Sequence, residues 1–245
     1  MSQKKQRAIP VLLILGDRSR LLAGTLQMLR MAGLSRLYVA VISSASAKPD
    51  QNAKIFESGI DEIADWSSNL QTRFFPSSCG PEYTTCKAIS WFFEMEESGI
   101  IVNKETVPSP EFLDFCKWAL STYADRSNIW HINGCPDGAL SCGIAEKPFT
   151  TTLIADTSCW ATWRDRWESL NANPFYVADQ ATRISRKWPL SRIARLNLLR
   201  RVHNLKSGVG SWESLWQATI LNNSGLVVCP SKNWAAYPES HFAEN

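Results

Sequence analysis

The sequence predicts an α/β domain built on a largely parallel sheet that is covered by helices. Residues 9–15 (IPVLLIL) and 36–43 (RLYVAVIS) are continuous apolar runs of the kind that form strands buried on both faces. Between them, Leu22, Leu26 and Leu29 recur at helical spacing. Strand, helix and strand within about 35 residues match the length of a parallel βαβ unit. Because the same alternation continues along the chain, most strands are expected to run parallel.

Each further element follows from its own local pattern. The first helix is predicted over residues 18–32, with Gly33 as its stop. Ser109 as N-cap and Pro110 at the first helical position predict a helix over 110–123. The other elements predicted in this half are a helix over 55–70, a strand over 72–75, a helix over 84–97, and strands over 100–102 and 128–132.

The second half of the chain has less regular spacing. Its predicted elements are a strand over 149–154, a Trp-rich helix over 160–170, a basic amphipathic helix over 189–205, a helix over 212–222 and a strand over 225–229. Trp160 and Trp163 stand three positions apart, so the predicted helix would carry both on one face. The chain has no internal repeat and no low-complexity linker, which favours a single domain over residues 1–245.

The composition excludes several classes of protein. The hydrophobic fraction of 44% and the charged fraction of 20% are typical of a globular protein with a sizeable core. No apolar run approaches the roughly 20 residues needed to cross a bilayer. The basic residues 1–7 precede only a short apolar run, which Asp17 and Arg18 interrupt, so no signal peptide is expected and the predicted location is cytoplasmic. Seven scattered cysteines without a C-x-x-C pair and three dispersed histidines argue against a disulfide framework or a zinc site.

The net charge of +3 is small, but its distribution is uneven. Residues 180–206 contain no acidic side chain and eight basic ones: Arg183, Arg186, Lys187, Arg192, Arg195, Arg200, Arg201 and Lys206. Three interpretations stay open. The segment is a solvated helix face, or it places cations against a bound diphosphate, or it attracts an anionic acceptor such as nucleic acid or a lipid-linked sugar.

Three segments together resemble one known family. Residues 90–116 read S-W-F-F-E-M-E-E-S-G-I-I-V-N-K-E-T-V-P-S-P-E-F-L-D-F-C, and I-W-H-I-N-G-C follows at 129–135. Residues 159–164 read C-W-A-T-W-R, and residues 211–216 read S-W-E-S-L-W. In this order they resemble a bacterial family of nucleotide-diphospho-sugar transferases. The resemblance implies a GT-A (Rossmann-like) fold with a mixed, mostly parallel sheet, in which residues 1–135 form a nucleotide-binding half and residues 136–245 an acceptor-side half.

The acidic motif of that family is altered here. The family carries Glu-Asp-Asp at the end of a strand, where the resemblance implies contacts to the ribose and to a Mn²⁺ or Mg²⁺ ion that bridges the donor diphosphate. Asn103, Lys104 and Glu105 occupy these positions. Asn103 can hydrogen-bond a ribose hydroxyl, Lys104 could contact phosphate or point to solvent, and Glu105 could remain as one metal ligand. Metal-dependent catalysis, metal-independent catalysis and no catalysis are therefore all open.

The candidate catalytic base is Glu213. It stands where the family motif T-W-D-Y-Q-W carries an acid, and a carboxylate of this kind would remove the proton of the acceptor hydroxyl. The alternative is that Glu213 only complements the dipole in the first turn of its helix. Asp156 and Asp165 are weaker candidates for the base.

Other candidate site residues follow from their positions. Asp17 and Arg18 come directly after the first strand, where such folds bind the base or ribose of a nucleotide. The predicted acceptor side consists of Trp160, Trp163, Arg164, Trp212 and Trp216, although core packing is the alternative role of the tryptophans. His131, in a predicted strand, is expected to be a hydrogen-bonded core histidine.

The resemblance predicts a glycosyltransferase that moves a sugar from a nucleotide-sugar donor to an unidentified hydroxyl of a glycan, a lipid-linked sugar or a nucleic acid. One alternative is a catalytically inactive binding module with the same fold. A second alternative, suggested by the basic segment alone, is a glycosyltransferase that acts on nucleic acid.

Overall fold

The structure, a computed structural model, describes residues 9–16, 22–31, 34, 36–43, 69–76, 81–103, 106–134, 149–170, 192, 196, 199–200, 203, 211–231 and 235–236. The strands are β1 (Val11–Leu15), β2 (Arg36–Ser43), β3 (Asn69–Pro76), β4 (Ser98–Val102), β5 (Val107–Pro108), β6 (Ile129–Asn133), β7 (Phe149–Thr152), β8 (Cys159–Trp163), β9 (Leu226–Pro230) and β10 (Ala235–Ala236). The helices are α1 (Leu22–Met31), α2 (Pro81–Met95), α3 (Pro110–Thr122), α4 (Arg164–Glu168) and α5 (Trp212–Asn222).

Eight of these strands form one mixed sheet in the order β3-β2-β1-β4-β8-β6-β9-β7. Strands β1, β2, β3 and β4 pair in parallel, and so do β6 and β9. Strand β8 lies antiparallel between β4 and β6, and β7 pairs antiparallel with β9. The parallel strands therefore end at a common edge, which we call the carboxyl edge. Strand β8 begins at that edge and ends at the opposite one, the amino edge.

Helices cover both faces of the sheet. On one face, Leu29 of α1 and Phe112 of α3 belong to a buried cluster with Leu13 of β1. On the other face, α2, α4 and α5 pack over a second cluster that includes Leu12 of β1 and Trp216 of α5. Because neighbouring strand residues point to opposite faces, a strand covered on both sides needs apolar residues at every position. This explains the continuous apolar run of β1.

This architecture confirms the predicted fold class, an α/β domain with a mixed, mostly parallel sheet flanked by helices. The predicted bounds 36–43 and 212–222 agree with β2 and α5. The predicted start of α3 is also correct, since the N–H of Phe112 donates to Oγ of Ser109 at 3.2 Å. Among the described residues, no helix is long and apolar enough to cross a membrane.

The predicted helix over residues 160–170 is wrong. Residues 159–163 form β8, and only residues 164–168 are helical. A fully buried strand has the same continuous apolar pattern as a buried helix, so periodicity does not separate them. Because strand side chains alternate, Trp160 and Trp163 point to opposite faces and belong to different core clusters.

Other predictions fall partly outside the described residues. In the predicted helix over 55–70, Asn69 and Leu70 begin β3 and the remainder is not described. In the predicted basic helix over 189–205, the described residues are helical: Arg192, Leu196, Leu199, Arg200 and His203.

Gly99 of β4 packs directly against Phe92 of α2 and the backbone of Pro10. A Cβ atom at this position would overlap the Phe92 ring and lie 2.8 Å from the carbonyl oxygen of Pro10. At Gly16, by contrast, no atom of the described residues beyond its chain neighbours lies within 4 Å of the corresponding Cβ position. Only a glycine therefore fits at position 99 without displacing α2 or the chain before β1.

Replacing Gly99 with Ala should lower the free energy of unfolding by about 1–3 kcal/mol, because the added methyl group overpacks a buried contact. Urea denaturation followed by circular dichroism would measure the change, with Gly16→Ala as the matched control that keeps the wild-type midpoint. Equal midpoints for the two variants would contradict the packing at Gly99.

Candidate active site

Two strand ends and one helix start meet at the carboxyl edge. Asn103 directly follows β4, and Gly134 directly follows β6. A tight turn connects helix α5 to β9, and in it the N–H of Gly225 donates to the carbonyl of Ile220 (2.8 Å). Eleven helical residues and five strand residues each span about 16 Å, so α5 begins level with the end of β9. In open α/β sheets, ligands bind in the crevice at this edge.

Residues 153–158, which we call the crossing segment, connect β7 to β8. Strand β7 ends opposite the start of β9, whereas β8 begins beside the end of β4, so the segment travels across the sheet to the carboxyl edge. It passes beneath α5, where Gln217 binds its backbone twice. The N–H of Ala155 donates to Oε1 (2.9 Å), and Nε2 donates to the carbonyl of Leu153 (2.7 Å).

Two side chains of β6 hold the same segment from below. The N–H of Asp156 donates to Oδ1 of Asn133 (2.8 Å), and Nδ2 of Asn133 donates to the carbonyl of Ile154 (3.0 Å). Nε2 of His131 lies 2.9 Å from the carbonyl oxygen of Asp156. His131 and Asn133 are completely buried. An irregular backbone that passes through a core needs such partners, because each unpaired buried amide group costs about 1–3 kcal/mol.

The tautomer of His131 follows from its neighbours. The indole Nε1–H of Trp216 donates to Nδ1 of His131 (3.1 Å), so Nδ1 is the acceptor and Nε2 carries the hydrogen that bonds Asp156. The imidazole also stacks on Trp160, with ring centroids 4.7 Å apart and planes 13° apart. Burial lowers the pKa of His131 from 6.5 to about 4, against smaller opposing contributions from Asp156 and Asn133. His131 is therefore a neutral, hydrogen-bonded core residue.

A strand irregularity brings His131 to the α5 side of the sheet. The pairing of β6 with β9 shifts register between Ile129 and His131. Trp130 and His131, although adjacent in sequence, both contact Trp216 of α5. A β-bulge has this effect, because the extra residue breaks the alternation of side chains.

The tryptophans predicted for the acceptor side lie in the core. Trp160 and Trp216 are completely buried, and Trp212 is 5% exposed. Trp160 contacts both of the others, with ring centroids 6.2 Å from Trp212 and 5.9 Å from Trp216. Their described contacts support core packing between the sheet and the helices over it.

Trp163 and Arg164 lie at the opposite edge from Asn103. Trp163 ends β8 and pairs with Ser98, the first residue of β4. Its indole N–H donates to the carbonyl of Leu120 (3.2 Å), and Nε of Arg164 donates to the carbonyl of Glu96 (3.0 Å). The structure therefore does not bring these two predicted acceptor-side residues to the carboxyl edge.

Asn103 and Asp156 lie at the carboxyl edge, and Glu213 belongs to the helix that bonds the crossing segment. The N–H of Asn103 donates to the carbonyl of Ser158 (2.7 Å), which joins the end of β4 to the crossing segment. Glu213 lies in the first turn of α5 and is partly exposed. It is four residues before Gln217, so it shares the helix face that bonds the crossing segment. The partly exposed Asp156 lies on that segment between the two.

Four candidate donor residues, Asp17, Arg18, Lys104 and Glu105, lie outside the described residues. Within the described ones, no group of three or more His, Cys, Asp and Glu side chains could hold a metal ion. Among the described residues, Asp156 and Glu213 alone would not hold a divalent cation, which prefers about six oxygen ligands.

A cavity of about 320 Å³ lies at the amino edge, away from this site. Its walls include Asp165 and Arg166, which follow the end of β8. The guanidinium of Arg166 is already bonded to Asp165 and to the carbonyls of Ala124 and Arg126. This cavity is separate from the strand ends that position Asn103 and Gly134.

Comparison with known proteins identifies the fold rather than a family. No protein-family model matches the sequence, and no curated protein sequence matches it. A mannosyltransferase from Pyrobaculum calidifontis, PcManGT, solved with GDP-Man and Mn²⁺, is 15% identical with a TM-score of 0.51 over 89% of this chain and 69% of that one. TarS (residues 1–349) from S. aureus is 13% identical with a TM-score of 0.49, over 92% of this chain and 59% of that one. The chain therefore has a GT-A-like fold similar to that of PcManGT.

The buried histidine makes stability depend on pH. The unfolded chain binds a proton at His131 below about pH 6.5, whereas the folded protein binds it only near pH 4. Between these values the unfolded state holds more protons, so the free energy of unfolding falls as the pH is lowered. The full loss attributable to His131 is about 3 kcal/mol, at about 1.4 kcal/mol per pKa unit.

A His131→Gln variant should lose this contribution, so its stability should fall less steeply than that of the wild type between pH 6.5 and 4. Urea midpoints at several pH values would measure both slopes. His203→Gln, at an exposed helical position, is the control and should keep the wild-type slope. Parallel profiles for His131→Gln and the wild type would contradict the neutral buried imidazole.

Proposed function

We propose that this protein is a glycosyltransferase that transfers a sugar from a nucleotide-sugar donor to a hydroxyl acceptor at the carboxyl edge of its sheet. The observation that carries the proposal is the position of Asn103 and Asp156 at one edge of a GT-A-like sheet, with Asp156 on a segment that is bonded to the helix carrying Glu213. PcManGT was solved with GDP-Man, and this makes nucleotide sugars the first ligands to test.

In this proposal the donor binds on the side of Asn103. The side-chain oxygen of Asn103 would accept a hydrogen bond from a ribose hydroxyl, and the ammonium group of Lys104 would lie against the diphosphate. Asp17 and Arg18, after β1, would bind the base end of the nucleotide. Residues 1–135 would thus supply the nucleotide-binding half and residues 136–245 the acceptor-side half.

The proposed base is Glu213. Its carboxylate would remove the proton of the acceptor hydroxyl as that oxygen attacks the anomeric carbon. The bond between the anomeric carbon and the diphosphate oxygen breaks in the same step, and a nucleoside diphosphate leaves with the electron pair. The configuration at the anomeric carbon is inverted. Lys104 would stabilise the negative charge that develops on the leaving diphosphate.

Titration calorimetry with a panel of sugar nucleotides, in Mn²⁺ and in EDTA, tests the donor site. Binding of one sugar nucleotide, followed by transfer or slow hydrolysis, would support the enzyme. Binding without turnover would indicate a binding module in which the altered triplet at Asn103 has lost its chemistry. Absence of binding to every donor would exclude both.

Glu213→Gln should lower the turnover number by about 10²–10⁴-fold, the usual contribution of a general base. The dissociation constant of the donor should change by less than about twofold, since a neutral amide of the same shape replaces a group on the acceptor side. Asp165→Asn is the matched control, because Asp165 is also in the first turn of a helix but lies at the amino edge. Retained turnover in Glu213→Gln would remove Glu213 from its proposed role.

Lys104→Ala should raise the dissociation constant of the bare nucleoside diphosphate by about tenfold, because a charge-assisted hydrogen bond to phosphate is lost. The loss should shrink as salt is added. Lys117→Ala is the control, since Lys117 is paired with Asp114 on the surface of α3. Equal affinity of the wild type, Lys104→Ala and Lys117→Ala for the nucleoside diphosphate would indicate that Lys104 points to solvent.

A further inference from the structure

We propose that Asp156 binds hydroxyl groups of the transferred sugar and thereby selects the donor. This inference rests on the proposed function. It concerns how the crossing segment is held, because the hydrogen bonds that satisfy its buried backbone also fix the position of one carboxylate.

Three buried side chains form hydrogen bonds with the backbone of four consecutive residues. Gln217, Asn133 and His131 are completely buried, and together they make five hydrogen bonds to the backbone of residues 153–156. These bonds satisfy backbone groups that pass through the core, where each unpaired group would cost about 1–3 kcal/mol. The same network also gives the segment a fixed geometry, as the support of a binding residue requires.

The network is most complete around Asp156. Its backbone N–H is bonded by Asn133 and its carbonyl by His131. Its carboxylate Oδ1 accepts the N–H of Ser158 at 2.8 Å, which fixes the side-chain direction. The residue is nevertheless partly exposed, so it presents a charged group at the surface of the carboxyl edge.

The location of Asp156 suits the sugar rather than the nucleotide. On one side, the crossing segment is bonded through Ser158 to Asn103, the proposed ribose contact. On the other side, it is bonded through Gln217 to the helix that carries Glu213, the proposed base. The transferred ring has to lie between the diphosphate and the base. A carboxylate, which only accepts hydrogen bonds, is suited to one or two sugar hydroxyls there.

Calorimetry of the 245-residue chain can separate sugar binding from nucleotide binding. The wild type, Asp156→Asn and Asp165→Asn would each be titrated with the sugar nucleotide that binds best and with the matching nucleoside diphosphate. Asp156→Asn should raise the dissociation constant of the sugar nucleotide about tenfold, and leave that of the nucleoside diphosphate within about twofold. Asp165→Asn should match the wild type for both ligands.

The asparagine substitution keeps an oxygen that can accept the N–H of Ser158, so the turn should remain intact. Asp156→Ser is a second variant, because a serine hydroxyl can also accept that N–H while lacking the carboxylate. Thermal midpoints of both variants would be measured beside that of the wild type. A sugar nucleotide that lacks the contacted hydroxyl should bind the wild type and Asp156→Asn equally, as a double-mutant cycle requires.

Four results would overturn the inference. The first is an unchanged affinity of Asp156→Asn for the sugar nucleotide. The second is an equal loss of affinity for the sugar nucleotide and the nucleoside diphosphate. Either result would show that Asp156 does not bind the sugar, and the proposed function would still stand. A raised Michaelis constant for the acceptor, with unchanged donor affinity, would assign Asp156 to the acceptor instead. Absence of binding of any sugar nucleotide to the wild type would overturn both the inference and the proposed function.

Discussion

The antiparallel strand β8, inserted between β4 and β6, is the constraint on which the rest of this structure depends. A parallel neighbour could be reached through a helix on one face, as β2 is reached through α1. Strand β8 instead begins at the carboxyl edge after β7 has ended near the other side. The chain between them has to cross the sheet inside the core. Its backbone amides must then find partners there, because water is excluded.

Those partners explain the polar residues in an otherwise apolar interior. His131 and Asn133 of β6 lie below the crossing segment, and Gln217 of α5 lies above it. The same bonds that satisfy the backbone also attach β6 and α5 to one another through the segment. Because the segment reaches the carboxyl edge at Ser158, it connects Asn103 at the end of β4 with the helix that carries Glu213. One topological requirement thus determines the spatial relation of the two sides of the candidate site.

Local sequence signals predicted most of the described elements, since these signals lie within the elements themselves. The apolar run of β2 and the Ser109 cap of α3 each specify a structure without reference to the rest of the fold. Asn103 was predicted at a strand end for the same reason. The sequence pattern predicts a helix where β8 lies, because a strand that is buried on both faces lacks the alternation of apolar and polar residues. His131 was expected to be a core histidine, but its role toward Asp156 depends on a bulge in β6 and on a segment 25 residues away in sequence.

One of the segments that carry the family resemblance, Cys159 to Arg164, makes its hydrogen bonds within the core. Thr162 Oγ1 donates to the carbonyl of Trp130 (2.6 Å), Trp163 bonds α3, and Arg164 bonds the end of α2. Successive side chains of β8 point to opposite faces of the sheet, and the strand ends at the amino edge. A motif of this kind therefore argues for the fold and says little about the reaction. In the proposed glycosyltransferase the chemistry would depend on residues at the carboxyl edge, where Asn103 follows β4 and where the crossing segment carries the carboxylate of Asp156 from a different part of the chain.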